Sequence, residues 1–295
     1  MISPAAEAAA GGQMHRSRRR GRPGGPGRLL IVACLTILLV VVLFPLVIVT
    51  LNAIKSPSEF ASQGPMALPQ GLYLQGIFDF WNRVDFGQKL LNSTVISGSV
   101  AFLAVAVSVL NAYALGIGRI RGRLWILVFF MLANTLPHEA LVYPLYYLAK
   151  AVHLYDTQLA VIIIFTALQS AFGTFLLSAV FSTFPREILE AAAVDGGTRL
   201  QLLWRVVVPI SWPTLSVLFT FFFIWTWNEF FLPLIFLISN ANQTVPVALG
   251  VLQGQRQMDV TTSSASALLG IIPAVIFFLI FQRTMTRGIT AGALK

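Results

Sequence analysis

Apolar residues gather in six long runs with shorter polar intervals between them. At about 1.5 Å per residue, a helix of some twenty residues crosses the roughly 30 Å hydrocarbon core of a bilayer. The lengths and sustained apolarity of the runs predict an all-α membrane protein with six transmembrane helices. The expected spans are 29–51, 91–115, 124–148, 158–180, 210–238 and 263–281. Pro137 and Pro144 should break the third span, because proline removes a helix hydrogen bond and crowds the preceding turn. Three polar intervals, 52–90, 181–209 and 239–262, should stand outside the hydrocarbon. The second run has small residues at every fourth position: Ala104, Ser108, Ala112 and Gly116. Such a stripe lets another helix approach closely, although an ordinary alanine-rich helix gives the same pattern. A signal peptide also places basic residues before an apolar run, but its apolar core is only about 7–15 residues long. The run at 29–51 is therefore expected to be a retained span.

Composition agrees with this reading. The chain has 295 residues, 57% hydrophobic and only 11% charged, with a mean hydropathy of +0.79. Soluble domains carry about 25% charged residues. The net charge is +9, and its placement matters more than its size. Arg16, Arg18, Arg19, Arg20, Arg22 and Arg28 precede the first run within a Gly-, Ala- and Pro-rich tail. That tail, 1–28, is expected to be disordered and cytosolic; residues 29–295 form the membrane domain. With the N-terminus cytosolic, fifteen of the 20 Lys and Arg fall on the cytosolic side. Only Lys55, Arg83, Lys89, Lys150 and Arg256 fall outside. This is the positive-inside distribution of a multi-pass protein of a bacterial inner membrane, with both termini in the cytosol. Aromatic residues lie within the apolar runs, so no basic and aromatic surface for nucleic acid is expected. Cys34 is the single cysteine and excludes an intrachain disulfide.

The interval between the fourth and fifth runs has its own pattern. Pro185 and Glu187 suit a helix start, and Ala191–Ala193 favour its interior. Gly196 and Gly197 supply a stop, and Thr198 with Gln201 fits a capping box for a second helix. Leu200, Leu203, Trp204, Val207 and Val208 would line the apolar face of that helix, and Pro209 would close it or bend it into the next span. Residues 185–209 thus predict a helix–turn–helix elbow, too polar for lipid and too apolar to float free. Docking on a protein partner and lying on the membrane surface both resolve that conflict.

The elbow resembles the EAA motif of the permease subunits of binding-protein-dependent ABC importers. That motif reads Glu-Ala-Ala, two residues, Asp-Gly, and a Pro about a dozen residues later. Glu190, Ala191, Ala192, Asp195, Gly196 and Pro209 fall on it. The family's usual Ala after the first Gly is Gly197 here, which should loosen the turn slightly. Trp227-Asn228-Glu229 with Pro233-Leu234, Tyr143-Pro144-Leu145-Tyr146 and the ending from Arg287 to Lys295 are similar to the carbohydrate branch, as in the second permease of the maltose system. The resemblance covers roughly residues 29–295. It implies a non-catalytic subunit that forms half of a sugar pathway and is pushed at the elbow by a cytosolic ATPase. It further implies a second permease, two ATPase subunits holding ATP and Mg, and an extracytoplasmic sugar-binding protein. None of the four lysines follows a glycine, so this chain has no P-loop of its own.

Polar groups inside the runs are the remaining candidates. A carboxylate at a helix centre costs about 2.5–3.5 kcal/mol on insertion scales, so Glu229 should face the bundle interior or a wet cavity. Asn228 and Glu229 are candidates for the substrate pathway or a gate, or for a structural bond. Trp225 and Trp227 could stack on sugar rings but suit core packing better. His138-Glu139 lacks the spacing of H-E-x-x-H, and no metal is expected. An ion-coupled secondary transporter is the alternative, since such proteins often place acidic groups inside their spans and Glu139 and Glu229 lie within apolar runs.

Overall fold

A computed structural model describes residues 25–118, 120–254 and 259–292. Most of the expected tail lies outside them. The described residues form helices joined by turns and short extended segments, without a strand. Among the described residues, five helices are long and apolar enough to cross a membrane, six if one sharply bent pair counts as a span.

The chain divides into two units, residues 1–48 and 49–295. In the first, helix α1 (Gly25–Ala53, continuing a short way into the second unit) is apolar on all sides, with none of its span window buried. A helix without a polar face has no stripe by which to choose a single neighbour.

The second unit begins with two short helices, α2 (Pro57–Gln63), which Ser56 caps, and α3 (Gln75–Val84). Asp85 turns α3 into α4 (Phe86–Ala112) with a left-handed φ of 53°, a conformation that Asp tolerates better than most residues. One π-helical turn, Tyr113–Ile117, prolongs α4. Next come α5 (Arg123–Thr135), α6 (Val142–Ala151) and α7 (Gln158–Ser182). They are followed by α8 (Arg186–Val194) and α9 (Arg199–Leu202). A second π turn, Leu203–Val207, leads into α10 (Val208–Asn228). The chain ends with α11 (Phe231–Phe236), α12 (Val245–Gly254) and α13 (Val260–Gly292).

Two expected spans are broken more deeply than the pattern suggested. The third run is α5 and α6, bent by 92°. Leu136 and Pro137 are extended there, because proline drives its predecessor out of the helical region. Pro144 sits harmlessly in the first turn of α6. The fifth run ends as a helix at Asn228; Glu229 is extended (ψ 130°) and α11 starts anew. The interval 239–262 is not merely polar loop, since it holds α12.

The core forms where α4, α7 and α10 meet. Ser108 of α4 faces Ser170 of α7 and Gly116 faces Phe181, so these two helices run parallel. Thr226 of α10 faces Gln169, whereas Val207 lies in the Phe181 cluster, so α10 runs the other way. The small-residue stripe faces inward as a close-approach surface: Ala104, Ser108 and Ala112 are fully buried. A Cβ on Gly116 would stand 2.8 Å from that of Phe181.

Candidate functional site

The segment between α7 and α10 is built from local rules. Helix α8 begins directly after Pro185 and contains no buried side chain among those described. Glu190 and Ala191 are exposed and Ala192 is half-buried. Asp195 follows the helix, its N–H bonded to the Ala191 carbonyl at 3.0 Å. Gly196 then adopts a φ of 75°, and the Gly197 N–H closes the turn on the Ala192 carbonyl at 3.1 Å. This is the six-to-one bond of a Schellman motif. A Cβ on Gly197 would lie 2.8 Å from that carbonyl oxygen, so the glycine lets the backbone close tightly here.

The capping box forms. Thr198 Oγ1 accepts from the Gln201 N–H at 3.3 Å, and Gln201 Oε1 accepts from the Thr198 N–H at 2.9 Å. The expected apolar face is only partly inward: Leu203 and Val207 are buried, Val208 is half-buried, and Leu200 and Trp204 are exposed. Pro209 does not close the second helix. Helix continues from Arg199 to Asn228, and the π turn lies just ahead of the exposed Pro209, in the stretch where the missing N–H would disturb the ladder.

Asn228 and Glu229 sit at the break between α10 and α11. Asn228 is exposed and its amide donates back to the Ile224 carbonyl at 2.7 Å. Glu229 Oε1 accepts from the Phe231 N–H at 3.2 Å and thereby starts α11. Trp227 is buried and stacks on Phe223, whereas Trp225 stacks on His138 with centroids 5.9 Å apart. The breaks of the third and fifth runs therefore touch through His138 and Trp225. Beneath the second break, the buried Gln169 donates to Thr226 Oγ1 at 2.8 Å.

At the other end of the bundle, the segment 239–245 is clasped from two sides. Lys89, Asn92 and Ser93 share one face of α4 and are almost fully buried. Lys89 donates to the carbonyl and side chain of Asn240, and Asn92 to the Ala241 and Gln243 carbonyls. Ser93 Oγ accepts the Val245 N–H at 2.9 Å. From the turn before α7, Asp156 accepts from the Ser239 N–H at 3.0 Å and from its hydroxyl. Partial burial works to raise the Asp156 carboxyl, but the bonds from Ser239 and Asn242 outweigh it and hold the group below its ordinary range. Sequence reasoning missed this clasp. The polar set at i, i+3 and i+4 within an apolar helix was its legible signal. Among the described residues, no cluster of His, Cys, Asp or Glu could hold a metal.

A bundle of long apolar helices, two of the expected spans broken, with an exposed helix–turn–helix between two spans, defines a polytopic membrane protein. Residues 114–290 match the family described as binding-protein-dependent transport system inner membrane component, and the chain belongs to that family. It is 33% identical over 263 residues to the inner membrane ABC transporter permease protein YcjP of Escherichia coli K12, covering 88% of this chain and 94% of the relative. It is 31% identical over 269 residues to the sulfoquinovosyl glycerol transport system permease protein SmoH of Agrobacterium fabrum, covering 91% and 94%. The sn-glycerol-3-phosphate transport system permease protein UgpE of Yersinia pestis is 32% identical over 265 residues, with 84% and 90% covered. The fold matches a chain from the crystal structure of a bacterial ABC transporter that imports alginate, with a TM-score of 0.75 at 23% identity, over 86% of this chain and 95% of that one. The protein is thus a multi-pass permease of an inner membrane.

Proposed function

We propose that this chain is the permease subunit of an ATP-driven sugar importer, forms half of the translocation pathway, and receives force at the 185–209 elbow. One observation carries the reading: α8 is an exposed helix with no buried side chain among those described, carrying Arg186, Glu187 and Glu190 and set between the spans of α7 and α10. Such a surface suits docking on a soluble subunit better than lipid contact. Glu190, Ala191, Ala192, Asp195, Gly196, Gly197 and Pro209 form or flank that surface. The partners are a second permease, two ATPase subunits that hold ATP and Mg, and an extracytoplasmic sugar-binding protein. The positive-inside bias supports cytosolic termini and a cytosolic elbow. The named solutes of the relatives, sulfoquinovosyl glycerol, sn-glycerol-3-phosphate and trehalose, support a hydroxyl-rich substrate.

Asn228 and Glu229 stand where a pathway or gate would use a broken helix. The Glu229 carboxylate is engaged in starting α11, which fits shaping a gate better than accepting sugar hydroxyls.

The test is co-purification from the native host. A cytosolic ATPase should accompany the chain, and Gly196→Val, with a β-branched residue forced into left-handed backbone, should release it. Uptake of labelled trehalose or sn-glycerol-3-phosphate by the lone chain, driven by a proton or sodium gradient, would overturn the reading in favour of an ion-coupled transporter.

A further inference from the structure

We propose that Tyr113 is the positioning residue that passes movement of the elbow to the spans, by tying the start of α9 to the last turn of α4. The inference rests on reading 185–209 as the surface on which an ATPase acts.

The Tyr113 hydroxyl donates to the Arg199 carbonyl at 3.0 Å, across 86 residues of chain. Arg199 opens α9, the second helix of the elbow. The same turn of α4 also holds the elbow's entry. Three residues on from Tyr113, a Cβ on Gly116 would meet Phe181 Cβ at 2.8 Å and the Ser178 carbonyl oxygen at 3.1 Å. Close approach therefore locks the end of α7 to α4. Between these two points α8 lies exposed, with Leu189 and the preceding Phe184 partly packed on the core. A push on α8 is delivered at both of its flanks to one turn of one span.

The backbone at both ends of the tie has the same local form. Tyr113 opens the π turn at the end of α4, and its carbonyl accepts the Gly118 N–H at 3.0 Å. Four residues past Arg199 begins the other π turn, Leu203–Val207. These are the π turns among the described residues. A π turn holds one extra residue, so a helix can shift register there without breaking, and such turns concentrate at functional sites. Leu203 and Val207 are buried in the cluster against which Tyr113 and Ile117 pack. The ring thus belongs to the packing, and the hydroxyl is the part that reaches the elbow.

Tyr113→Phe removes the hydroxyl and keeps the ring. The complete complex is reconstituted in proteoliposomes, with Cys34→Ser and a reporter cysteine replacing Leu136, at the exposed break of the third run. Maleimide labelling is measured with and without ATP and vanadate, beside ATP hydrolysis. In the Tyr113 parent, nucleotide should change the labelling rate several-fold. In Tyr113→Phe the complex should assemble and hydrolyse ATP, and the nucleotide-dependent change should vanish. An unchanged nucleotide response in the variant overturns the tie alone. Loss of assembly in the variant makes the hydroxyl a plain structural bond and overturns it as well. An ATPase that is absent, or that leaves the parent's labelling unaltered, overturns the reading of the elbow itself and the tie with it.

Discussion

Gly173 of α7 leaves the space that Ser108 of α4 fills: a Cβ on Gly173 would lie 2.2 Å from Ser108 Oγ and 3.0 Å from the Phe222 ring. Ser108 is fully buried, and its hydroxyl donates to the Ala104 carbonyl at 2.6 Å, with the Ser170 carbonyl also within reach at 3.2 Å. The close approach of α4 and α7 at this point thus rests on a missing side chain. Gly173→Ala should force α4 and α7 apart, at about 1–3 kcal/mol for overpacking. Thermal melting of purified protein should show the loss. Ser108→Gly in the same chain should restore part of it, whereas a second site elsewhere should not.

Gly196 is different, because nothing lies within 4 Å of the Cβ it lacks. Only its φ of 75° resists substitution. Gly196→Ala should cost about 1–2 kcal/mol of local turn stability, with Gly196→Asn milder than Gly196→Val. Melting of the whole bundle should hardly change. ATPase co-purification and uptake should follow the order Gly, Asn, Ala, Val.

Glu229 serves as an acceptor for the Phe231 N–H. Glu229→Gln retains a carbonyl oxygen there and loses the charge; Glu229→Ala loses both. Uptake should survive the first and fall several-fold with the second. Equal loss in both variants would assign the work to the charge, and so to the pathway.

The clasp on 239–245 should depend on acid. The Asp156 carboxyl titrates below its ordinary range in the folded protein. Its contribution is therefore complete above about pH 4, the unfolded value, and is lost as pH falls through the lower folded value. Melting temperature should drop more steeply below about pH 4 in the parent than in Asp156→Asn, which has no carboxyl to protonate.

Lys89 offers the same region a buried cation on neutral acceptors. Lys89→Met should keep the apolar stem and strand the Asn240 carbonyl, at about 1–3 kcal/mol. Protease sensitivity near residue 240 should rise before global melting changes.

Short-range chemistry was legible along the chain. Run length announced the spans, because a bilayer demands a stretch of helix of given length whatever its neighbours are. Gly196 and the Thr198–Gln201 box declared the turn after α8, because caps act over three or four residues. Pro137 marked the break in the third run, but not its 92° angle. The break at Asn228–Glu229 was invisible, since no proline or glycine stands there and the apolar run continues. Lys89 counted only as a charge outside the hydrocarbon and is buried, because its acceptors come from 151 residues away. Tyr113 read as one more residue of a span, because its hydroxyl bond spans 86 residues. Local sequence determined which long stretches are helical and apolar enough to cross a membrane; the tertiary structure decided where the fifth run gives way and which polar groups meet. Those choices are made by close approach of distant surfaces, and a hydrogen bond between distant residues leaves no periodicity in either of the segments that share it.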